Sequence, residues 1–355
     1  MTRLQAVSPG ALNLRVGETV EVRSEAEIMA TLDERGELDE LPFMPEMLAY
    51  CGRRLTVHKV AYKLCDTISR SGMRRMERAV HLTGARCDGG AHGGCQTACQ
   101  FYWKEAWLKR ADPADPTDLA APSIPVGPPV PSGSPASPGG LAAGRPLLPL
   151  LEAATRGEPG EDGEERFSCQ ATELLRAAPT CLPLKDVRQY VTDVQTGNAT
   201  VFFTSRALLV GLFNRFQERV APRLPRPLRI KDGLKWGFVK GRLSGPTPSV
   251  TLGLQPGELV RIKPKEEILK TLNQDLLNRG MGFEEEMSRH CGRTARVLAR
   301  VERCIDEKTG RMLRMKSPCI VLEGIVCTGA YSVSCPREFL PFWREIWLER
   351  VEEPA

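Results

Sequence analysis

GETVEVRSEAEIMATLDE at positions 17–34 returns as GELVRIKPKEEILKTLNQ at 257–274, and the 240-residue offset between the two stretches decides the architecture. Working outward, Phe43 returns as Phe283, Glu46-Met47 as Glu286-Met287, and Cys51-Gly52 as Cys291-Gly292. Cys87 returns as Cys327, Cys95 as Cys335, and Trp103 and Trp107 as Trp343 and Trp347. A register kept over roughly 95 residues marks a duplicated folding unit. The expected modules are 12–110 and 256–352.

Within each module the pattern is mainly β. Val20 and Val22, and Val260 and Ile262, alternate with charged residues as in an opening half-buried strand. Ser24-x-x-Glu27 predicts a capping box before a short helix carrying Ile28 and Leu32, a cap that Pro264 removes from the second copy. Alternation over Leu55–Val60 and Val297–Val301 gives a second strand, and Val80–Leu82 and Ile320–Leu322 a third, with Gly72 and Gly310 in hairpin turns. Trp103 and Trp107 are expected to seal the core, on one helix face or on a bent strand.

Between the modules the composition changes twice. Residues 111–165 are rich in Pro, Gly, Ala and Ser and predict a disordered linker, too poor in apolar residues to offset chain entropy. Residues 166–230 predict a helical middle segment in which Phe202, Leu209, Leu212, Phe213, Phe216 and Val220 form one face that packs on a module or a partner. Ten basic residues against two acidic ones over 206–242 give a local balance of +8 in a chain of net charge +5. The remainder is near −3, which excludes a uniformly basic nucleic-acid coat but leaves an anionic surface, nucleic acid or membrane, as a ligand for this segment.

No secretory signal is visible in MTRLQAVSPGALNLRVGE, and the apolar run at 201–216 is broken by Arg206, so the expected location is cytoplasmic. Twelve cysteines in a reducing compartment raise metal binding or thiol chemistry above disulfides, with buried core thiols as the plain alternative. The cysteines fall five, two and five along the first module, the middle and the second module.

The gaps from Cys51 to Cys87 and from Cys87 to Cys95 are reproduced at Cys291, Cys327 and Cys335, and RCDGGAHGGCQTAC is a Gly-rich loop that allows thiolates to converge. The expected metal ligands are Cys51, Cys87, Cys95 and Cys99 in the first module and Cys291, Cys319, Cys327 and Cys335 in the second, holding zinc or an iron–sulfur cluster. Cys65, Cys304, Cys169 and Cys181 stand in reserve. No CxxC pair is present, and Tyr102 stands where a radical iron–sulfur enzyme needs a third cysteine, which removes that class.

None of the four histidines is repeated, so a shared histidine ligand is excluded. His92 is a candidate ligand for the first site alone, though its Gly-rich loop suggests a surface position. Glu46 and Glu105 recur as Glu286 and Glu345, with a structural role favoured and a helical Glu105–Lys109 salt pair expected. No phosphate loop, dinucleotide fingerprint, HExxH or nucleophile elbow occurs, which lowers the expectation of an enzyme without removing it.

The Gly-Glu-x-Val strand, the later Cys-Gly turn and the strand after it resemble small SH3-like barrels. The strings LPFMPEMLAYCG, RCDGGAHGGC and FYWKEAWLKR resemble those of a bacterial family of Cys-rich tandem-module proteins, a resemblance that implies no activity. The expected protein is therefore mainly β with α: two SH3-like modules, a linker and a helical middle segment. It serves as a non-catalytic, metal- or cluster-binding accessory to a protein partner or a homo-oligomer. The competing readings are a metal- or iron–sulfur-dependent biosynthetic enzyme and an anionic-surface binder acting through 206–242.

Overall fold

The computed structural model describes residues 11–111, 147–160, 163–236, 241–275, 277–284 and 286–351. It is a mixed α/β protein of several antiparallel sheets and few helices. Packing divides it into two units: the described residues up to Asn198 with Arg303–Arg314, and those from Ala199 to Glu302 with those from Met315 onward.

In the first unit, β1 (Thr19–Val22) leads into α1 (Glu25–Met29), followed by the small hairpin of β2 (Glu37–Leu38) and β3 (Leu41–Pro42). A 3-10 turn at Pro45–Tyr50 delivers the chain to β4 (Arg54–Val60); the hairpin of β5 (Lys63–Cys65) and β6 (Met73–Arg75) precedes β7 (Ala79–Leu82). After the Gly-rich loop come β8 (Trp103–Lys104), a 3-10 turn at Glu105–Trp107, and β9 (Leu108–Arg110). The sheet order is β8-β7-β4-β1-β9. Trp103 and Trp107 thus occupy a strand and the turn after it, not a helix. The expected Glu105–Lys109 pair is replaced: Lys109 Nζ lies 2.9 Å from Glu21.

The expected capping box forms, with the Ser24 amide donating to Glu27 Oε2 at 2.9 Å and the Glu27 amide donating to Ser24 Oγ. The Ser24 amide, followed by the Ser24 hydroxyl, holds the Glu27 carboxyl down at about 2. The linker expectation needs correction at its C-terminal end, because α2 (Leu148–Ala154) is a helix with Leu147 and Leu151 each 1% exposed. Residues 112–146 of that stretch lie outside the described residues.

From α3 (Leu174–Ala177) through β10 (Cys181–Leu182) to α4 (Arg188–Gln195) the middle segment packs on the first sheet system, β10 pairing with β6. Polar bridges hold it there. Gln170 receives the Tyr102 amide at 2.8 Å and donates to the carbonyls of Pro42 and Tyr102. Lys63 and Asp193 form an ion pair at 2.6 Å with both side chains 0% exposed.

The second unit starts with α5 (Val201–Arg219), capped by Thr200. Then come β11 (Leu259–Ile262), α6 (Lys265–Leu269), the hairpin β12 (Leu277–Asn278) and β13 (Met281–Gly282), β14 (Thr294–Ile305), β15 (Met312–Leu322), β16 (Trp343–Arg344) and β17 (Leu348–Arg350). Its sheet order is β16-β15-β14-β11-β17. Pairings of Val20 with Arg110 and Val22 with Leu108 recur as Val260 with Arg350 and Ile262 with Leu348, each at the 240-residue offset. The tip of the β14–β15 hairpin, turned by Gly310, groups with the first unit, so the packing boundary departs from the 256–352 module read in the sequence.

Each unit buries the same core positions. Val20, Ile28, Phe43, Val57, Trp103 and Trp107 correspond to Val260, Ile268, Phe283, Val297, Trp343 and Trp347. The Phe43 ring meets the Trp107 ring edge-on at 5.0 Å, as Phe283 meets Trp347 at 5.3 Å. Each tryptophan side chain removes on the order of 200 Å² from water, about 5 kcal/mol of transfer free energy.

Trp107 Nε1 donates to Thr31 Oγ1 at 3.1 Å and Trp347 Nε1 to Thr271 Oγ1 at 2.9 Å. Glu105 accepts the Leu12 amide at 2.8 Å and the Leu14 amide; Glu345 accepts those of Leu252 at 2.8 Å and Leu254 at 3.0 Å. Arg300 also meets Glu345 at 2.8 Å. Replacing Glu345 with Ala is expected to lower the stability of the second unit by about 3 kcal/mol, because it strands buried amides and a half-buried guanidinium. Urea unfolding of the full chain checks this.

Candidate metal centre in the Gly-rich loop

The loop between β7 and β8 folds back on itself because Gly89 adopts φ +74°. Its carbonyl accepts the amides of His92 at 3.2 Å and Gly94 at 2.9 Å, and the Cys87 amide donates to the Cys99 carbonyl at 2.8 Å. A Cβ at Gly89 would stand 2.0 Å from the Cys95 carbonyl oxygen, a distance no side chain tolerates. The second unit builds the same loop at the same offset: Gly329 (φ +71°) accepts from Ser332 and Ser334, and Cys327 donates to Phe339.

This turn carries His92 inward. The ring is 2% exposed, which corrects the surface position expected of it. His92 Nε2 lies 3.4 Å from Cys87 Sγ, and Nδ1 lies 3.1 Å from Glu46 Oε1, at ion-pair distance but outside hydrogen-bonding alignment. Glu46 projects from the 3-10 turn before β4, and its Oε1 also accepts the Ala91 amide at 3.0 Å. Its Oε2 is buried with no hydrogen-bond partner.

One potential ligand atom from each of Glu46, Cys87 and His92 lies within 4.8 Å of the others, and among the described residues this is the group of three with that property. Burial works against ionising Glu46, but His92 and the Ala91 amide outweigh it and hold the carboxyl below its ordinary range. Burial pushes the Cys87 thiol well up, assisted by Glu46, Cys99 and Cys169, with the Gly89 amide opposing. Burial likewise pushes Cys169 up to about 12, against amides of Thr172 and Ala171 that point at its sulfur.

Of the thiols expected as ligands, Cys87 belongs to this group. Cys99 is near enough to Cys87 to affect its ionisation. Cys51 is half-buried at the end of the 3-10 turn and packs against the first core. Cys95 is buried, with its sulfur 3.4 Å from the Ile305 amide and 3.3 Å from Thr97 Oγ1.

In the second unit Cys327 Sγ lies 3.8 Å from Glu286 Oε2, while Oε1 receives the Thr328 amide at 2.7 Å and the Thr328 hydroxyl. Ser332 occupies the position equivalent to His92. Cys319 is buried on β15 beside Arg344, Cys335 is buried in the loop, and Cys291 is half-buried at its turn. All twelve cysteines are unbridged thiols.

No family model, no curated protein and no solved structure matches the chain. Gly89→Ala is expected to cost more than about 2 kcal/mol, since it adds backbone strain to a steric clash, and to separate His92 from Cys87. Thermal unfolding and the imidazole resonances of the variant check both effects.

Proposed function

We propose that the chain is a tandem of SH3-like modules in which the first holds one zinc ion through Cys87, His92 and Glu46, and that it acts as a non-catalytic accessory to a protein partner. The SH3-like reading is supported by the five-strand order with a 3-10 turn between the fourth and fifth strands of each sheet, repeated at the 240-residue offset. The metal reading is carried by a buried carboxylate oxygen with no hydrogen-bond partner, set beside an imidazole and a thiol.

The donor set selects the ion. Thiolate, imidazole and carboxylate together suit zinc, whereas clusters are held by cysteine thiolates. Bond lengths of about 2.3 Å to sulfur and about 2.0 Å to nitrogen in a tetrahedral site put those two atoms roughly 3.5 Å apart. The observed separation of 3.4 Å matches that span for the Cys87 sulfur and the His92 Nε2 nitrogen. Cys99, Cys169 or a water would supply the fourth position. Glu286 in the second unit has both oxygens engaged by Thr328 and Cys327, and Ser332 stands where the first unit has His92, so the reading assigns one ion per chain.

Burial pushes the free Cys87 thiol up, which disfavours it as an unassisted nucleophile, and zinc binding there would displace its proton. The ion would tie the 3-10 turn bearing Glu46 to the Gly-rich loop and so fix the face between them.

Full-length protein purified with zinc and dialysed is expected to retain about one equivalent of colourless metal. Cys87→Ser and His92→Ala should each bring this to background, Cys327→Ser should leave it unchanged, and Cys99→Ser and Cys169→Ser report the fourth ligand. A visible absorption band, loss of metal in Cys327→Ser, or a metal-free protein whose Cys87 is rapidly alkylated would each overturn the assignment.

A further inference from the structure

The helix α5 is inside out. Its inward face is made of small and polar residues, with Thr204, Ala207, Val210, Gly211 and Gln217 buried. Its large apolar residues point to solvent: Phe202 is 81% exposed, Leu209 67%, Val201 65% and Leu212 51%. At 100° per residue these four fall within one arc of about 100°. The face read from the sequence as a packing surface is therefore bare along most of its length.

The segment that follows continues the pattern. Gln217 donates to the carbonyls of Ile230 and Leu234, and Asn214 and Phe213 hold Trp236, so residues 221–236 fold back beside the helix. Leu228 and Ile230 are 63% and 55% exposed there, and Trp236 is 38% exposed with Lys231 over its ring at 4.6 Å. Residues 201–236 carry eight basic side chains against Glu218 and Asp232, a balance of +6, and Lys235 takes up Glu218. Arg215, Arg219, Arg223 and Arg226 are exposed around the apolar stripe.

We propose that this face docks on an anionic lipid surface, with Phe202, Leu209 and Leu212 entering the boundary between headgroups and acyl chains and the flanking arginines meeting the headgroups. Charge selects this occupant. A second copy would set +6 against +6. Nucleic acid would engage the arginines and leave the aliphatic stripe exposed to water. A lipid interface with negative headgroups satisfies both halves of the surface at once. The opposite side of the helix is already packed, so the protein presents the stripe as a fixed plane.

The full chain is tested by sedimentation with phosphatidylcholine vesicles, with and without about 30 mol % phosphatidylserine. Binding is expected to the anionic vesicles, with a blue shift of Trp236 emission, the other four tryptophans being 0% exposed. The double variant Phe202→Ser, Leu209→Ser should weaken binding at least about tenfold. Arg215→Ser with Arg219→Ser should weaken it more than about tenfold, at roughly fivefold per charge, and by less at high salt. All four positions are exposed or half-buried, so unchanged circular dichroism is expected of both variants.

Equal affinity for neutral and anionic vesicles overturns the proposal. So does binding of duplex DNA, insensitive to the serine pair, without vesicle binding. A concentration-dependent dimer that the Leu209 variant abolishes, again without vesicle binding, overturns it as well.

Discussion

A buried carboxylate bonded to the backbone just before the first strand of each five-stranded sheet is the constraint on which the rest of the structure hangs. Glu105 and Glu345 sit in the 3-10 turn between the last two strands of their sheets, 9% and 4% exposed, and each accepts amides from the segment leading into the first strand. The contact joins the segment before the first strand of each five-stranded sheet to the turn between its last two strands. It holds the turn in place, the turn places the second tryptophan, and that tryptophan's indole N–H reaches the threonine after the short helix. A glutamine would offer one acceptor where the site uses two, and an apolar residue none, leaving buried amides unpaired.

With the ends clamped, the two units differ in the hairpin, where β5 and β6 of the first give way to the long β14–β15 pair of the second, and in the side chains of the Gly-rich loop. The Gly-rich loops share their turn geometry down to the carbonyl of Gly89 and of Gly329 receiving two amides each. They differ in what the turn presents: His92 in one and Ser332 in the other. One scaffold thus places an imidazole between a thiol and a carboxylate, while its counterpart lets threonine and cysteine satisfy the same carboxylate. Conserved backbone with exchanged side chains is the pattern expected when a loop carries function and the sheet below carries stability.

The correspondence of core positions was legible because such positions tolerate little volume change, so Trp103, Trp107, Phe43 and Ile28 have buried counterparts at a fixed spacing. The capping box was legible for a local reason, all its atoms lying within four residues. Glu46 and His92 were each noticed, but their meeting was not, since 46 positions separate them and only the left-handed turn at Gly89 aims the histidine inward. A glycine whose added Cβ would strike the backbone of Cys95 is the trace that such a turn leaves in a sequence. Cys169 escaped a definite role for the same reason, being brought near Cys87 by a segment that the sequence separates from it by a long Pro-rich stretch.

Periodicity identified α5 and its apolar stripe, and of the surfaces expected to cover that stripe, a module of this chain is the one its exposure removes for Phe202, Leu209 and Leu212. A stripe of Phe and Leu at helical spacing is ordinarily the buried one, because burial of each such side chain is worth about 2 kcal/mol. Here the small residues Thr204, Ala207 and Gly211 make up the buried face, and Gln217 is buried there by bonding two carbonyls. Close packing through small residues spends little apolar area and leaves the large side chains outside. Phe202, Leu209 and Leu212 thus stand in water on one plane beside a row of arginines, the arrangement an interfacial helix offers to the anionic lipid surface proposed for it.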